Sequence, residues 1–255
     1  MKKKYLIAVC DILGFSNLVK QNDIDSIVDN PITFLRRSLW HSIVKTDIPE
    51  ELPSLEGLKS KSRIGIVLFS DTILLYTLED TDDDCKSLIE TCGWLLFENM
   101  FSLTTRLRIG VSYGEAYIDE KNSIYVGKPI IEAHELEKCQ EWSGGALTIQ
   151  AEERIPKNVK TEYLYRENVI NGAIYFWYLY YYDVPLKYNR TEKLLSIDWT
   201  RGIHPFNSFP WSQKNAEPTQ EEMKAKQDIV LKWRNTKKYH EDVCRNCFGN
   251  NKNKI

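Results

Sequence analysis

The sequence is short of the features that would take it outside ordinary globular chemistry. No apolar run approaches the roughly 20 residues that span a bilayer. The start Met1-Lys2-Lys3-Lys4 leads straight into a strand pattern, not into the apolar region of a signal peptide. Positive charge is not in excess: 34 Lys and Arg stand against 36 Asp and Glu, a net charge of -2. That excludes a broad basic surface for nucleic acid, which needs clustered cations, and leaves small anionic ligands open. Cysteine is sparse and scattered, six in 255 residues, without the density of a disulfide scaffold, so reduced thiols and a cytoplasmic protein are expected. His240-x3-Cys244-x2-Cys247 has no second pair to complete a tetrahedral zinc site and reads as structural.

What is present is a set of apolar runs in a suggestive order. Residues 4–10 read as a buried strand. A helix starts near Asn30-Pro31, where proline suits the first turn, and carries Phe34, Leu35, Leu39 and Ile43 at helical spacing. Residues 63–78 are two apolar runs pinched at Ser70-Asp71, a β-hairpin pattern. The acidic run Glu79 to Asp84 complements the dipole at the front of a helix bearing Leu88, Cys92, Leu95, Leu96 and Met100. A strand over 107–112, a hairpin return near 124–126, a helix from Gly127 to about Trp142 and a short strand over 145–149 follow.

Beyond these, Glu162 to Asp183 resembles a long hairpin turned at Asn171-Gly172. Residues 188–218 lack periodicity and are expected to wrap the surface. Thr219 to Cys247 reads as an exposed charged helix docked by Met223, Ile229, Val230 and Trp233, and Asn250 to Ile255 as disordered. The order describes an α+β fold, a ferredoxin-like or palm-type mixed sheet with helices on one face. The expected division is a main domain over 1–187, its core in 4–150, with 188–255 as an irregular wrap and C-terminal helix appended to it.

One chemical feature interrupts this pattern. The apolar run Tyr5 to Cys10 ends in an acid, Asp11, and a second acid, Asp71, occupies the hairpin turn. In such a sheet the first strand and the hairpin are neighbours, so the two carboxylates meet at one edge. Side by side they repel, and one stays protonated unless a cation lies between them. Magnesium takes hard oxygen ligands, commonly one or two carboxylates plus substrate phosphates. Gly14 follows at a strand-to-helix turn, which points backbone N–H groups at the same spot, as phosphate sites do. Taken alone, Asp11 reads as a cap or turn residue; the second acid tips the reading toward a metal-nucleotide site.

The ordered set of Asp11-Ile12-Leu13-Gly14-Phe15-Ser16, Phe69-Ser70-Asp71, Leu107-Arg108-Ile109-Gly110-Val111 and the Gly127 to Glu137 helix resembles the class III nucleotidyl cyclases. Within them, Val126-Gly127-Lys128-Pro129-Ile130-Ile131-Glu132-Ala133-His134-Glu135-Leu136-Glu137-Lys138, then Trp142, Gly145-Ala146-Leu147-Thr148 and Tyr182-Asp183-Val184-Pro185-Leu186-Lys187, is similar to the bacterial pyrimidine cyclases of Pycsar antiphage defence. The resemblance implies a head-to-tail homodimer with active sites at the interface. It implies two Mg²⁺ or Mn²⁺ ions held by Asp11, the Ile12 carbonyl and Asp71. Leu13, Gly14, Phe15 and Ser16 would cradle phosphate, and Arg108 would stabilise developing charge. Read from the residues alone, Arg108 is rather a strand arginine paired with an exposed acid on a neighbouring strand.

Departures from the purine-cyclase pattern shape the substrate expectation. Ile131 and Glu135 stand where purine cyclases carry an asparagine and an arginine, and Val67 and Ile124 map near their purine-reading lysine and aspartate. A smaller base is expected, with Trp40 and Arg37 as candidate pocket residues; the alternative is a core tryptophan and a solvated arginine. The implied reaction is UTP to cyclic UMP and pyrophosphate, the product acting as a second messenger on a separate effector protein. CTP, a purine triphosphate and a catalytically silent nucleotide-binding module are the alternatives. His134 is expected to serve packing or the interface.

Overall fold

The computed structural model describes residues 2–45, 50–52, 54–100, 105–157, 159, 178–200 and 227–249. Along the chain run β1 (Lys2–Ile12), α1 (Phe15–Gln21), α2 (Ile24–Ile27), a π-helical turn (Val28–Ile32), α3 (Thr33–Val44), α4 (Leu55–Lys59), β2 (Ile64–Phe69) and β3 (Thr72–Thr77). They are followed by α5 (Asp82–Met100), β4 (Leu107–Asp119), β5 (Ile124–Gly127), α6 (Lys128–Cys139), β6 (Gly144–Leu147), α7 (Ile149–Arg154), β7 (Tyr178–Leu186), β8 (Arg190–Asp198) and α8 (Gln227–Gly249). The strands form one mixed sheet in the order β2-β3-β1-β4-β6-β8-β7, with β5 paired to β4. β4 and β6 are parallel and every other neighbouring pair is antiparallel. The α+β architecture expected from the sequence is therefore present, and β2-β3-β1-β4 is the strand order of a ferredoxin-like core.

β1 is central, with β3 on one side and β4 on the other, which is why it is apolar on both faces. Leu6, Ala8 and Cys10 pack in a large cluster with Leu35, Leu39 and Trp40 of α3 and Leu88, Cys92, Leu95 and Leu96 of α5. Tyr5, Ile7 and Val9 join a smaller cluster with Tyr76, Ala116, Ile118 and Ala133 of α6. The helices thus divide: α3 and α5 lie on one face as expected, whereas α6 covers the other. The reason is in β4, where Gly110, Ser112, Gly114 and Ala116 alternate down one face and leave a shallow groove. A Cβ at Gly110 would come within 2.0 Å of the Ala133 carbonyl oxygen and 2.7 Å of the Glu137 amide nitrogen. No other residue allows that approach.

Several boundaries differ from the sequence expectation. The helical segment expected from Asn30-Pro31 starts earlier, at α2, where the Asp23 side chain accepts from the Ser26 amide at 2.9 Å, and Pro31 is absorbed in the π-helical turn. α6 ends at Cys139, not Trp142, because Gln140 turns extended and bridges to Leu186. The stretch 190–198, expected in the surface wrap, is β8, paired along its length with β7 through a turn at Lys187, Tyr188 and Asn189. The expected division at residue 187 falls inside that hairpin. α8 docks through Thr236, Tyr239, His240 and Val243, all buried, whereas Val230 and Trp233 are only half-buried. The hairpin turn at Asn171-Gly172, the wrap over 201–218, Met223, the Ile229 side chain and the tail Asn250 to Ile255 lie outside the described residues. Cys10, Cys85, Cys92 and Cys139 carry free thiols.

Candidate active site

The β1–β3 register pairs Cys10 with Ile73, so the next residues along, Asp11 and Thr72, come side by side, with Asp71 in the turn beyond. The Thr72 hydroxyl reaches Asp11 Oδ1 at 3.5 Å. The turn is tight, with Ser70 at a φ of 55°. It places the Asp71 carboxyl near enough to Asp11 for the two to act on one another electrostatically. Burial, and then the charge on Asp11, push the Asp71 carboxyl up to about 6. Two convergent carboxylates with a backbone carbonyl one residue on are the donor set a hard divalent cation takes. Among the described residues no group of three or more His, Cys, Asp and Glu side chains converges on a metal position, so any further ligands would be backbone, water or substrate oxygens.

Across β1 from the hairpin, Arg108 stands directly opposite Asp11. Its Nη2 is 3.4 Å from Asp11 Oδ2 and 2.6 Å from Glu137 Oε1, and Nη1 donates to the Gln140 carbonyl at 3.3 Å. The pairing of a strand arginine with a neighbouring acid is therefore what the structure holds. Glu137 is 1% exposed; burial drives its carboxyl up to about 7, with Arg108 opposing the shift and Asp11 adding to it. This residue was not singled out from sequence. Its signal was a charged side chain on the same α6 stripe as Ile130 and Ala133, at positions i, i+3 and i+7. A second polar group lies further up the same face: Ser112 donates to Glu132 Oε2 at 2.8 Å and accepts from Thr148 at 3.2 Å.

The phosphate-loop candidates occupy the turn after β1. Gly14, with φ of 78°, caps α1, and a Cβ there would meet nothing within 4 Å, so the demand for glycine is conformational. The Leu13 amide is committed to the Arg106 carbonyl at 2.7 Å, which removes it from the expected cradle and leaves Gly14, Phe15 and Ser16. Phe15 packs toward the large cluster and anchors the turn.

Trp40 and Arg37 do not join this site. Trp40 is 5% exposed in the α3–α5 cluster, with Lys61 Nζ 5.0 Å from its ring centroid. Arg37 is exposed. Asp11 follows Val9 on the opposite face of β1, and Val67 also packs on that opposite face. The cause is strand alternation: Leu68, not Val67, faces the cleft beside Trp40. Ile131 and Glu135 are exposed on the outer side of α6, away from Arg108.

No family model matches the sequence, and no curated protein matches it. Among solved structures, the guanylyl cyclase Cya2 is similar with a TM-score of 0.47 and 14% identity over 77% of this chain and 92% of that one. A rhodopsin-guanylyl cyclase catalytic core with converted specificity, in complex with ATPαS, gives 0.48 and 11% over 77% and 97%. A Trypanosoma brucei adenylate cyclase in its monomeric state gives 0.47 and 10% over 76% and 87%. No helix among the described residues is long and apolar enough to cross a membrane.

Proposed function

We propose that the chain is a nucleotidyl cyclase that converts UTP to cyclic UMP and pyrophosphate. The observation that carries the reading is the convergence of Asp11 and Asp71 at the end of β1, beside a glycine-capped turn. The donor set fits two Mg²⁺ or Mn²⁺ ions on Asp11, Asp71 and the Ile12 carbonyl. When bound, such ions supply a lowered pKa for the ribose 3′-hydroxyl and neutralise the triphosphate. The hydroxyl oxygen attacks the α-phosphorus, the α–β phosphoanhydride bond breaks with its electron pair going to pyrophosphate, and the hydroxyl proton passes to water. The backbone N–H groups of residues 14–16 face the phosphates. Arg108 lies on the same side and contributes positive charge as negative charge builds on the leaving group.

The pyrimidine choice is supported by Val67 and Ile124, whose side chains offer no hydrogen bond to a purine edge, and by the Pycsar-like motif around α6. Uracil O4 needs a donor and the cytosine amino group an acceptor. With Arg37 across the sheet, neither has an assigned partner from this protomer. A homodimer with its site at the interface, signalling through a separate effector in antiphage defence, completes the reading. A catalytically silent nucleotide-binding module is the second reading, favoured by the outward-facing Ile131 and Glu135 and by Arg108 already engaging Asp11 and Glu137.

One assay separates these. The purified chain is incubated with each of the four ribonucleoside triphosphates and Mn²⁺ or Mg²⁺, and cyclic product and pyrophosphate are measured. Turnover of UTP is expected. CTP turnover alone would change the base, ATP or GTP turnover would replace the reading with a purine cyclase, and silence with all four would favour the binding module. Asp71→Ala should abolish turnover without disturbing the homodimer; activity retained in this variant would remove the metal role assigned to it.

A further inference from the structure

Arg108 is placed between two carboxylates of unequal kind. Strand register alone sets it beside Asp11, whose side chain is 26% exposed, while Glu137, 2% exposed, reaches it from the overlying helix. The guanidinium lies nearer the helix: 2.6 Å to Glu137 against 3.4 Å to Asp11. Its other arm is held on that side as well, by the Gln140 carbonyl at 3.3 Å. Gln140 is itself fixed, donating to the Ile109 carbonyl at 2.9 Å and accepting from the Trp142 indole at 2.6 Å. The contact at Gly110 seats the Glu137 backbone directly on β4, so the position of this carboxylate is built into the helix–sheet packing.

We propose that Glu137 is a positioning residue which, by holding Arg108 to itself, keeps Asp11 open to a divalent cation. The inference rests on the reading of Asp11 and Asp71 as cation ligands. Without Glu137, the one carboxylate among the described residues left within ion-pair reach of Arg108 is Asp11. A cross-strand arginine closing on it would occupy the oxygens that a cation needs and would add a positive charge beside the cation position. With Glu137 in place the arginine is shared between the two acids and sits nearer the helix than the strand acid. The sheet thus carries an arginine next to its ligand-side acid that reaches only one of its oxygens, Oδ2, and that at 3.4 Å.

The test is Mn²⁺ titration by calorimetry into the full-length chain, without nucleotide, for wild type, Glu137→Gln and the double variant Glu137→Gln/Arg108→Met. Glu137→Gln is expected to weaken Mn²⁺ binding roughly tenfold, the scale of one partly screened charge at close range. The double variant should return to near wild-type affinity, a rescue that general structural damage would not produce. Wild-type affinity in Glu137→Gln, or a double variant as weak as the single one, would overturn the proposal and leave the cyclase reading standing. A wild-type chain that binds no Mn²⁺ would overturn that reading and this inference together. Should Glu137→Gln fail to fold, Arg108→Met alone is titrated instead: affinity at or above wild type is expected, and a loss of Mn²⁺ affinity would overturn the proposal.

Discussion

The two faces of one sheet differ in what they bury. Against α3 and α5, β1 presents Leu6, Ala8 and Cys10 to a thick layer of leucine, isoleucine, cysteine and aromatic side chains. Against α6 it presents Tyr5, Ile7 and Val9 to a thin apolar patch, and then Asp11 beside Arg108 and Glu137. The first face is where burial stabilises the fold; the second gives up apolar area to hold charge. Because β1 alternates between them, each face has its own side chains, and the chemistry on one is insulated from repacking on the other.

That insulation can be broken or sharpened by experiment. The largest effect is expected from Asp71→Asn, which should remove turnover while leaving the metal-free protein as stable as wild type or more so at neutral pH. The substitution keeps the shape and deletes one of two repelling charges. Thermal melts beside the cyclase assay check both halves.

Next come matched substitutions on the two faces. Leu88 is fully buried, and Leu88→Ala should cost about 2–5 kcal/mol of stability with Mn²⁺ affinity unchanged. Gly110→Ala forces α6 off β4, since the added carbon meets backbone, and should lower both stability and Mn²⁺ affinity. Urea unfolding and Mn²⁺ titration of the pair would show whether the faces are independent; equal losses of affinity would refute it.

A smaller effect concerns pH. Asp71 and Glu137 both hold their protons to higher pH in the folded chain, up to about 6 and about 7. Between the ordinary carboxylate range and those values the native state binds more protons than the unfolded one, so stability falls as pH rises through that window. Melting temperature without metal should therefore decline from pH 5 toward pH 8. Saturating Mn²⁺ should flatten the Asp71 part, and Leu88→Ala should shift the curve without changing its slope. The smallest change is expected from Thr236→Val, which takes the acceptor from the Ser143 amide, 2.9 Å away. About 1–2 kcal/mol should be lost in the same urea experiment.

How much was legible in the sequence follows from the same physics. β1, the β2–β3 hairpin and α5 were readable because each is a long apolar run with clear punctuation, and Asp11 and Asp71 were readable because an acid interrupts such a run. β8 was not, because its first half pairs with β7 alone and stays exposed, while only Leu194 to Asp198 are buried. Its turn also lacks the glycine that marks a hairpin, using Tyr188 and Asn189 at positive φ instead. Glu137 was read as one more helical residue, since a glutamate on an amphipathic helix ordinarily faces water. Trp40 and Arg37 part company for a local reason: a tryptophan and an arginine three apart suggest one helix face, but α3 buries the first beside a cleft with Leu68 and exposes the second.

The docking of α8 has a practical meaning for anyone who would trim the protein. Its Thr236 and Asn235 reach the loop between α6 and β6, and Tyr239 stands edge-on to both Trp142 and Tyr182. A version cut back to the ferredoxin-like portion would bare those rings, strand an amide in a dry place and slacken the segment whose carbonyl steadies Arg108. The helix that closes the described chain is thus a keystone of the site's far wall, and a shortened form should come out of the cell aggregated, not merely slower.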